Sequence, residues 1–294
     1  MKIAIYGQYY QNSTEPIIKD IFKFLNANHV DLCIEANFLG ILYEKQLLSK
    51  EYKTFSSHTE LDSSFDILLS IGGDGTILRA TALVRDSGIP ILGINAGRLG
   101  FLASVQKDNI EEFLQLVIEK KYTISERTLL QLTTDVNLPE VGELNFAMNE
   151  ISVSRKDTTS MITIETSLND EYLTSYWADG LIISTPTGST GYSLSCGGPV
   201  LTPEVSSFVI TPIAPHNLNA RPLVIPDSTE IKQKVTGREE QYLVSLDSRS
   251  ASAKNETLLT ISKAPFTIKM AEIPNQTFLK TLRSKLLWGE DKRN

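Results

Sequence analysis

The chain is short of cysteine: Cys33 and Cys196 are the two in 294 residues, and neither stands in a CxxC or Cys/His spacing. That argues against a structural zinc site and for a reducing compartment. Long apolar runs are missing as well. None approaches the ~18 residues that a membrane-spanning helix needs, so no membrane partner is expected. Residues 1–7 carry one charged side chain and lack the long apolar core and small-residue cleavage site of a secretion signal, so a cytoplasmic chain is expected. Two nucleotide signatures are absent. There is no GxxxxGK[ST], which excludes a P-loop enzyme, and no GxGxxG after a strand, which excludes the usual dinucleotide fingerprint. Positive charge is also scarce, with 28 Lys and Arg against 35 Asp and Glu. An acidic surface repels phosphodiester backbones, so nucleic acid is not an expected partner. The densest basic stretch, 280–293, is interrupted by Glu290 and Asp291 and reads as a solvated helix face.

What is present is a globular composition, 41% hydrophobic and 21% charged, long enough for two ordinary domains. The first hundred residues alternate strand and helix. Residues 2–6 read as a strand and 14–28 as a helix with Ile18, Ile21, Phe22 and Leu25 on one stripe. Residues 30–34 read as a second strand and 44–49 as a second helix. Residues 65–71 form a strongly apolar strand that runs into glycines, followed by a helix over 77–85 and a strand over 90–94. This alternation predicts a parallel sheet covered on both faces. After a helix over 108–120 the texture changes to short Thr- and Ser-rich apolar runs at 129–133, 150–154, 161–167, 181–185, 208–211, 242–246 and 258–262. Asn169-Asp170 reads as a hairpin turn. Helical periodicity returns over 276–288. The expectation is an α/β domain with a Rossmann-like parallel sheet over 1–100, completed by a C-terminal helix in 271–294, and a β-rich domain over 101–270.

Three segments carry chemistry. The first is Gly72-Gly73-Asp74-Gly75-Thr76, between an apolar strand and a helix. Glycines let a ligand approach main-chain N–H groups, and the helix N-terminus adds a positive dipole end suited to phosphate. An aspartate repels phosphate, so Asp74 suggests a proton acceptor or a metal contact; a turn with Asp74 capping the helix is the plain alternative. The second segment is Asn149-Glu150, an amide beside an acid that can grip ribose hydroxyls or base edges, or form a surface turn. The third is 179–195, in which seven of the twelve residues 184–195 are Ser or Thr. Hydroxyls at that density after an apolar strand suit a polar ligand, and Tyr192 can stack on a base.

Together with Pro215-His216-Asn217-Leu218-Asn219-Ala220-Arg221-Pro222-Leu223, these segments closely resemble the NAD kinase family, in order, from Met1 to about residue 262. GGDGT alone is shared with diacylglycerol and sphingoid lipid kinases; the long run DGLIISTPTGST is far more specific. The resemblance implies an α/β domain plus a β-rich domain, and phosphoryl transfer from ATP to the adenosine 2′-hydroxyl of NAD, with a divalent cation, Mg²⁺, held by the donor's phosphates. It implies a dimer or tetramer. It implies roles for Asp74 as proton acceptor, Gly75 in the phosphate loop and Arg79 as a ligand contact one helical turn on. Asn149 and Glu150 would contact adenosine and Asp179 the nicotinamide end. Thr187, Thr190, Gly191, Tyr192, Ser193, Leu194 and Ser195 would surround adenine and ribose, and Ala214 would line the nicotinamide pocket. His216 and Arg221 lie in a family motif and are read as structural. Gly191 and Cys196 stand where the family more often has alanine. Asp247-Ser248 replaces a common Asp-Gly, which puts a ligand role there in doubt. Two rivals remain at this point: a lipid kinase using the same GGDGT, against which the polar run 179–195 argues, and a non-catalytic NAD sensor, against which Asp74 argues.

Overall fold

Alternating apolar strands and amphipathic helices become a seven-stranded sheet in the computed structural model, which describes residues 1–9, 14–97, 100–103, 110–156, 160–274 and 276–288. The chain divides into two units, Met1–Glu126 with Ile268–Asn294, and Arg127–Thr267. The first unit contains β1 (Lys2–Gly7), α1 (Thr14–Ala27), β2 (Asp31–Glu35), α2 (Ala36–Glu44), β3 (Lys53–Phe55), β4 (Ile67–Gly72), α3 (Asp74–Val84), β5 (Ile91–Asn95), α4 (Ile110–Ile118) and β6 (Thr123–Arg127). The returning chain adds β19 (Ile268–Glu272) and α6 (Phe278–Leu286).

The sheet order is β3-β2-β1-β4-β5-β19-β6, and β1 pairs in parallel with both β2 and β4. Strand order therefore reverses at β1, so the carboxyl ends of β1 and β4 form the crevice where open sheets of this kind take ligands. All six residues of β4 are buried, as a strand covered on both faces requires. Ile17, Ile18, Ile21, Phe22 and Leu25 of α1 and Ile110, Phe113, Leu114 and Val117 of α4 share one core with Ile3, Ile5, Leu69 and Ile71.

Two boundaries differ from the sequence reading. The second helix is 36–44, not 44–49, because the Glu35 carboxylate accepts from Asn37 N at 3.1 Å and Phe38 N at 2.8 Å and starts the helix directly after β2. Residues 101–126 belong with the first unit, not the second, because the apolar stripe of α4 is buried in the first core. The returning segment brings a strand as well as a helix: Met270 of β19 pairs with Ile91 of β5.

The second unit is built from β7 (Leu130–Thr134), β8 (Phe146–Ala147), β9 (Glu150–Arg155), β10 (Ile162–Leu168), β11 (Glu171–Ala178), β12 (Gly180–Ser184), α5 (Tyr192–Ser195), β13 (Ser207–Ile213), β14 (Leu223–Pro226), β15 (Ile231–Thr236), β16 (Gln241–Leu246), β17 (Arg249–Lys254) and β18 (Leu258–Lys263). Two six-stranded sheets result, β11-β10-β15-β18-β7-β8 and β14-β13-β12-β9-β16-β17. Ile164, Val235, Leu259 and Ile261 of one sheet and Ile151, Val153, Leu181, Ile183 and Val244 of the other lie in a single core. Asn169 and Asp170 both have positive φ, 49° and 67°, which a two-residue hairpin between right-twisted strands demands. No helix among the described residues is long and apolar enough to cross a membrane.

The central strand of the first sheet should be intolerant of lost volume. Leu69, fully buried in β4, is expected to cost about 2–5 kcal/mol of unfolding free energy when replaced by alanine, measured by urea denaturation.

Candidate functional site

In the first unit the turn from β4 into α3 places Gly73, Asp74 and Gly75 at the carboxyl edge of the sheet. A Cβ built at Gly73 would meet nothing within 4 Å, and one at Gly75 would reach only Arg79 Nη2 at 4.0 Å, so the space above the loop is open to a ligand. Asp74 does not point freely into it. Its Oδ2 accepts from Phe101 N at 2.7 Å, and its Oδ1 accepts from Leu102 N at 3.0 Å and Ala103 N at 3.1 Å. A carboxylate has about four acceptor positions; three are taken by backbone, and the remaining one lies on Oδ2. Gly100 fits beneath because it has no side chain: a Cβ there would stand 1.9 Å from Asp74 Oδ1. Arg79 is tied to Gln8, whose amide oxygen also accepts from Thr76 Oγ1 at 3.1 Å. Beside them opens a cavity of about 530 Å³ lined by Gln8, Tyr9, Glu35, Asn37, Ser56 and Arg79, among others.

In the second unit the face of β9 and β12 turned away from the core carries the other residues. Ile151, Val153, Leu181 and Ile183 point inward, so the period-two alternation of strands turns Glu150, Ser152, Ile182 and Ser184 outward. Glu150 pairs with Ser184, and Asn149 stands just before β9. Asn149 Oδ1 and Glu150 Oε2 are buried and have no hydrogen-bond partner among the described residues. Buried acceptors are rarely left so without a function. Burial, then the neighbouring Asp247 carboxylate, pushes the Glu150 carboxyl up to about 7, and a hydrogen bond from the Tyr192 backbone opposes the shift. A Cβ at Gly191 would come within 3.1 Å of Glu150 Oε2 and 3.3 Å of Asn149 Nδ2, so glycine there keeps the approach to the pair open.

Asp179 and Ala214 lie at the other end of β12. Asp179 N donates to Ile213 O at 3.0 Å, and its carboxylate pairs with Arg155 Nη2 at 3.0 Å. Ala214 is exposed and held at φ 42°, a conformation alanine seldom adopts outside functional or strained sites. The length of β12 separates this cluster from Asn149 and Glu150 by roughly 15–20 Å at ~3.4 Å per residue, the scale of a dinucleotide. Tyr192 donates to the Glu150 carboxylate from its backbone. Its phenol is raised by burial first, then by Cys196, Asp179 and Glu150, so its hydroxyl is within electrostatic reach of both ends, and its side chain is exposed.

Many of the hydroxyls in 184–195 serve the turn itself. Ser184 Oγ donates to Thr185 O, Ser189 Oγ to Pro186 O, and Thr190 Oγ1 to Thr187 O. Ser193 Oγ is bonded to Thr211 Oγ1 at 2.8 Å and faces the sheet. Thr187 is buried, whereas Tyr192 and Ser195 are exposed and Leu194 is half-buried. His216 packs against Trp177 of β11 with tilted rings, centroids 4.3 Å apart, and Arg221 Nη1 donates to Leu218 O and Ala220 O within its own loop.

Comparison with known proteins accounts for both units. Residues 3–122 match the family model of the ATP-NAD kinase N-terminal domain, and residues 148–273 match that of the ATP-NAD kinase C-terminal domain. The NAD kinase of Flavobacterium johnsoniae is 74% identical over the whole of both chains, and that of Cytophaga hutchinsonii 44%. The chain belongs to the NAD kinase family. Among solved structures, an NAD kinase from Archaeoglobus fulgidus in complex with ATP superposes with a TM-score of 0.75 at 26% identity, over 98% of this chain and 99% of that one. A yeast NADH kinase complexed with NADH has the same fold, with a TM-score of 0.86 at 22% identity, over 99% of this chain and 89% of that one. Matches of this extent set the lipid-kinase reading aside.

Within the NAD kinase fold, two residues whose part the sequence leaves open hold the backbone of the candidate site. Asp247 sits in the two-residue turn between β16 and β17, at φ 52°, and an aspartate in a turn gives no further signal in sequence. Gly188 was read for its place in a polar loop; its role is close packing, since a Cβ there would lie 2.0 Å from Asn149 O. Gly188→Ala must therefore push Asn149 away. We expect this variant to lose about 1–3 kcal/mol of unfolding free energy, read by urea denaturation.

Proposed function

We propose that this NAD kinase family member binds the adenosine half of NAD on Asn149, Glu150 and Tyr192, and that Asp74 takes the proton from the adenosine 2′-hydroxyl as that oxygen attacks the γ-phosphoryl of ATP. The observation that carries the reading is the pair of buried acceptors, Asn149 Oδ1 and Glu150 Oε2, without a partner among the described residues. Adenosine offers what they lack: ribose hydroxyls and an exocyclic amine are donors, and an ionised carboxylate and an amide oxygen accept from them. Asp179 and Ala214, one β12 length away, receive the nicotinamide end.

Phosphoryl transfer asks a protein mainly for positioning and charge stabilisation. The open N-terminus of α3 supplies N–H groups for phosphate, and Arg79 adds charge at the mouth of the cavity beside Gln8, where the donor's nucleoside would sit. Asp74 keeps one acceptor position on Oδ2 for the attacking hydroxyl while its other three hydrogen bonds fix the carboxylate. No cluster of His, Cys, Asp or Glu among the described residues could hold a metal. A divalent cation would enter with the phosphates of the donor, as Mg²⁺ usually does.

Two measurements test this. In an assay with ATP, Mg²⁺ and NAD the parent should form NADP, and Asp74→Asn should lose at least ~10² in turnover while still binding NAD. The asparagine amide also sets a donor against backbone N–H groups, so a stability loss of about 1–3 kcal/mol should accompany it. Turnover within tenfold of the parent would remove Asp74 from the chemistry. The second measurement is pH dependence. The Glu150 carboxyl is raised to about 7, so it is ionised and accepts from adenosine above that pH and is neutralised below it. NAD affinity, by calorimetry between pH 5.5 and 8.5, should weaken as pH falls through about 7.

A further inference from the structure

Asp247 reaches from the β16–β17 turn to a segment about a hundred residues earlier. Its Oδ2 accepts from Met148 N at 2.9 Å, and its Oδ1 accepts from Asn149 N at 2.8 Å and Glu150 N at 3.1 Å. Three successive amides thus converge on one carboxylate, and Asp247 N returns a bond to Glu150 O at 3.0 Å. The same segment is fixed from the opposite strand: Thr185 N donates to Asn149 O at 2.9 Å, and Thr185 Oγ1 to Met148 O at 2.6 Å. Gly188 closes the contact against the Asn149 backbone. Every main-chain polar group named here is engaged, whereas the two side-chain acceptors of the segment, Asn149 Oδ1 and Glu150 Oε2, are left buried and unpartnered.

Arg249 completes the support. Its guanidinium donates to the carbonyls of Leu144 and Phe146, lies 5.5 Å from the Phe146 ring centroid, and stands close enough to Asp247 to offset part of the burial of that carboxylate. The backbone just before the acceptor pair is therefore held by a cation, and the backbone of the pair by an anion, both from one hairpin.

We propose that Asp247 is a positioning residue for the acceptor nucleotide: by gathering the amides of Met148, Asn149 and Glu150 it aims the Asn149 and Glu150 side chains at adenosine. The proposal rests on the reading of Asn149 and Glu150 as the adenosine grip. A neutral turn would satisfy the hairpin geometry equally well, since a serine or asparagine can cap a turn. It would not accept three amides at once, and it would not add a like charge beside Glu150. The charged and titratable groups facing Glu150 are Asp247, backed by Arg249, on the β16–β17 hairpin, and Tyr192 and Cys196 on α5 and its end, with Asp179 reaching it through Tyr192. Tyr192 and Cys196 are uncharged at neutral pH, so Asp247 is the neighbour whose removal moves the Glu150 equilibrium. Losing a nearby negative charge lowers a carboxyl's pKa.

The test is a double-mutant cycle on the full chain with Asp247→Asn, Glu150→Gln and the pair, reading NAD affinity by calorimetry and the KM for ATP by turnover. At pH 8.5, Asp247→Asn should weaken NAD at least tenfold and leave the KM for ATP within twofold. The midpoint of its NAD-affinity pH profile should move below that of the parent. The double variant should be little weaker than the worse single one, because Asp247 acts through Glu150 and its neighbour. A folded Asp247→Asn with parental NAD affinity and midpoint overturns the proposal, as does full additivity or an equal weakening of ATP. If Glu150→Gln itself leaves NAD affinity unchanged, it is the adenosine assignment that fails, and the two failures are distinguished. Should Asp247→Asn not fold, native-state hydrogen exchange of the parent decides. The three amides 148–150 should exchange together and only with opening of the second unit; fast, independent exchange overturns the clamp.

Discussion

A carboxylate that collects three consecutive backbone amides is the interaction on which both halves of this protein depend. Asp74 does so with Phe101, Leu102 and Ala103 in the first unit, and Asp247 with Met148, Asn149 and Glu150 in the second. Residues 101–103 lie outside any strand, and residues 148–150 lead into β9, whose ladder begins only at Glu150. Backbone N–H groups out of reach of water need acceptors. One carboxylate meets that need for three of them and fixes the segment's direction in doing so. Removing such an acceptor leaves several donors unsatisfied together, which is why these acids are far less replaceable than a place in a turn or loop would suggest.

The two acids differ in what they leave over. Asp74 retains an acceptor position on Oδ2 and stands beside an open glycine loop. Asp247 is buried and hands its effect on to Glu150, whose carboxyl rises to about 7 through burial and that neighbour. Close packing of glycine against these segments, Gly100 beneath Asp74 and Gly188 against Asn149, belongs to the same design: the backbone is brought so near that no Cβ fits. The site is thus rigid in its main chain and unsatisfied in two of its side chains, the arrangement expected of a preorganised binding surface.

The hydroxyl-rich run shows a related division of labour. Its density of Ser and Thr drew attention to a polar ligand, yet Ser184, Ser189, Thr190 and Ser193 spend their hydrogen bonds on their own turn or on Thr211. What they build is the sharp return that lays Gly188 on Asn149 and leaves the Tyr192 side chain exposed. A motif can be specific to a family because its residues hold a shape, with ligand contact left to a few members.

Sequence alone determined most of the alternating strands and helices of the first unit, seven of the short strands of the second, the hairpin at Asn169-Asp170 and the three segments of the candidate site. Those features are local: side-chain periodicity, turn chemistry and glycine placement act within a dozen residues. Helix 36–44 escaped because a glutamate cap is a weaker signal than a hydroxyl or aspartate one, and the boundary near residue 126 escaped because only packing places the stripe of α4 in the first core. Tertiary structure alone decided that Asp74 is held by residues 101–103, that Asp247 holds residues 148–150, and that Asn149 and Glu150 keep buried acceptors in reserve. Each of these joins residues between 27 and 99 positions apart through single hydrogen bonds. No periodicity or motif spacing encodes such a pairing; it exists only when the sheets bring the two segments to the same edge.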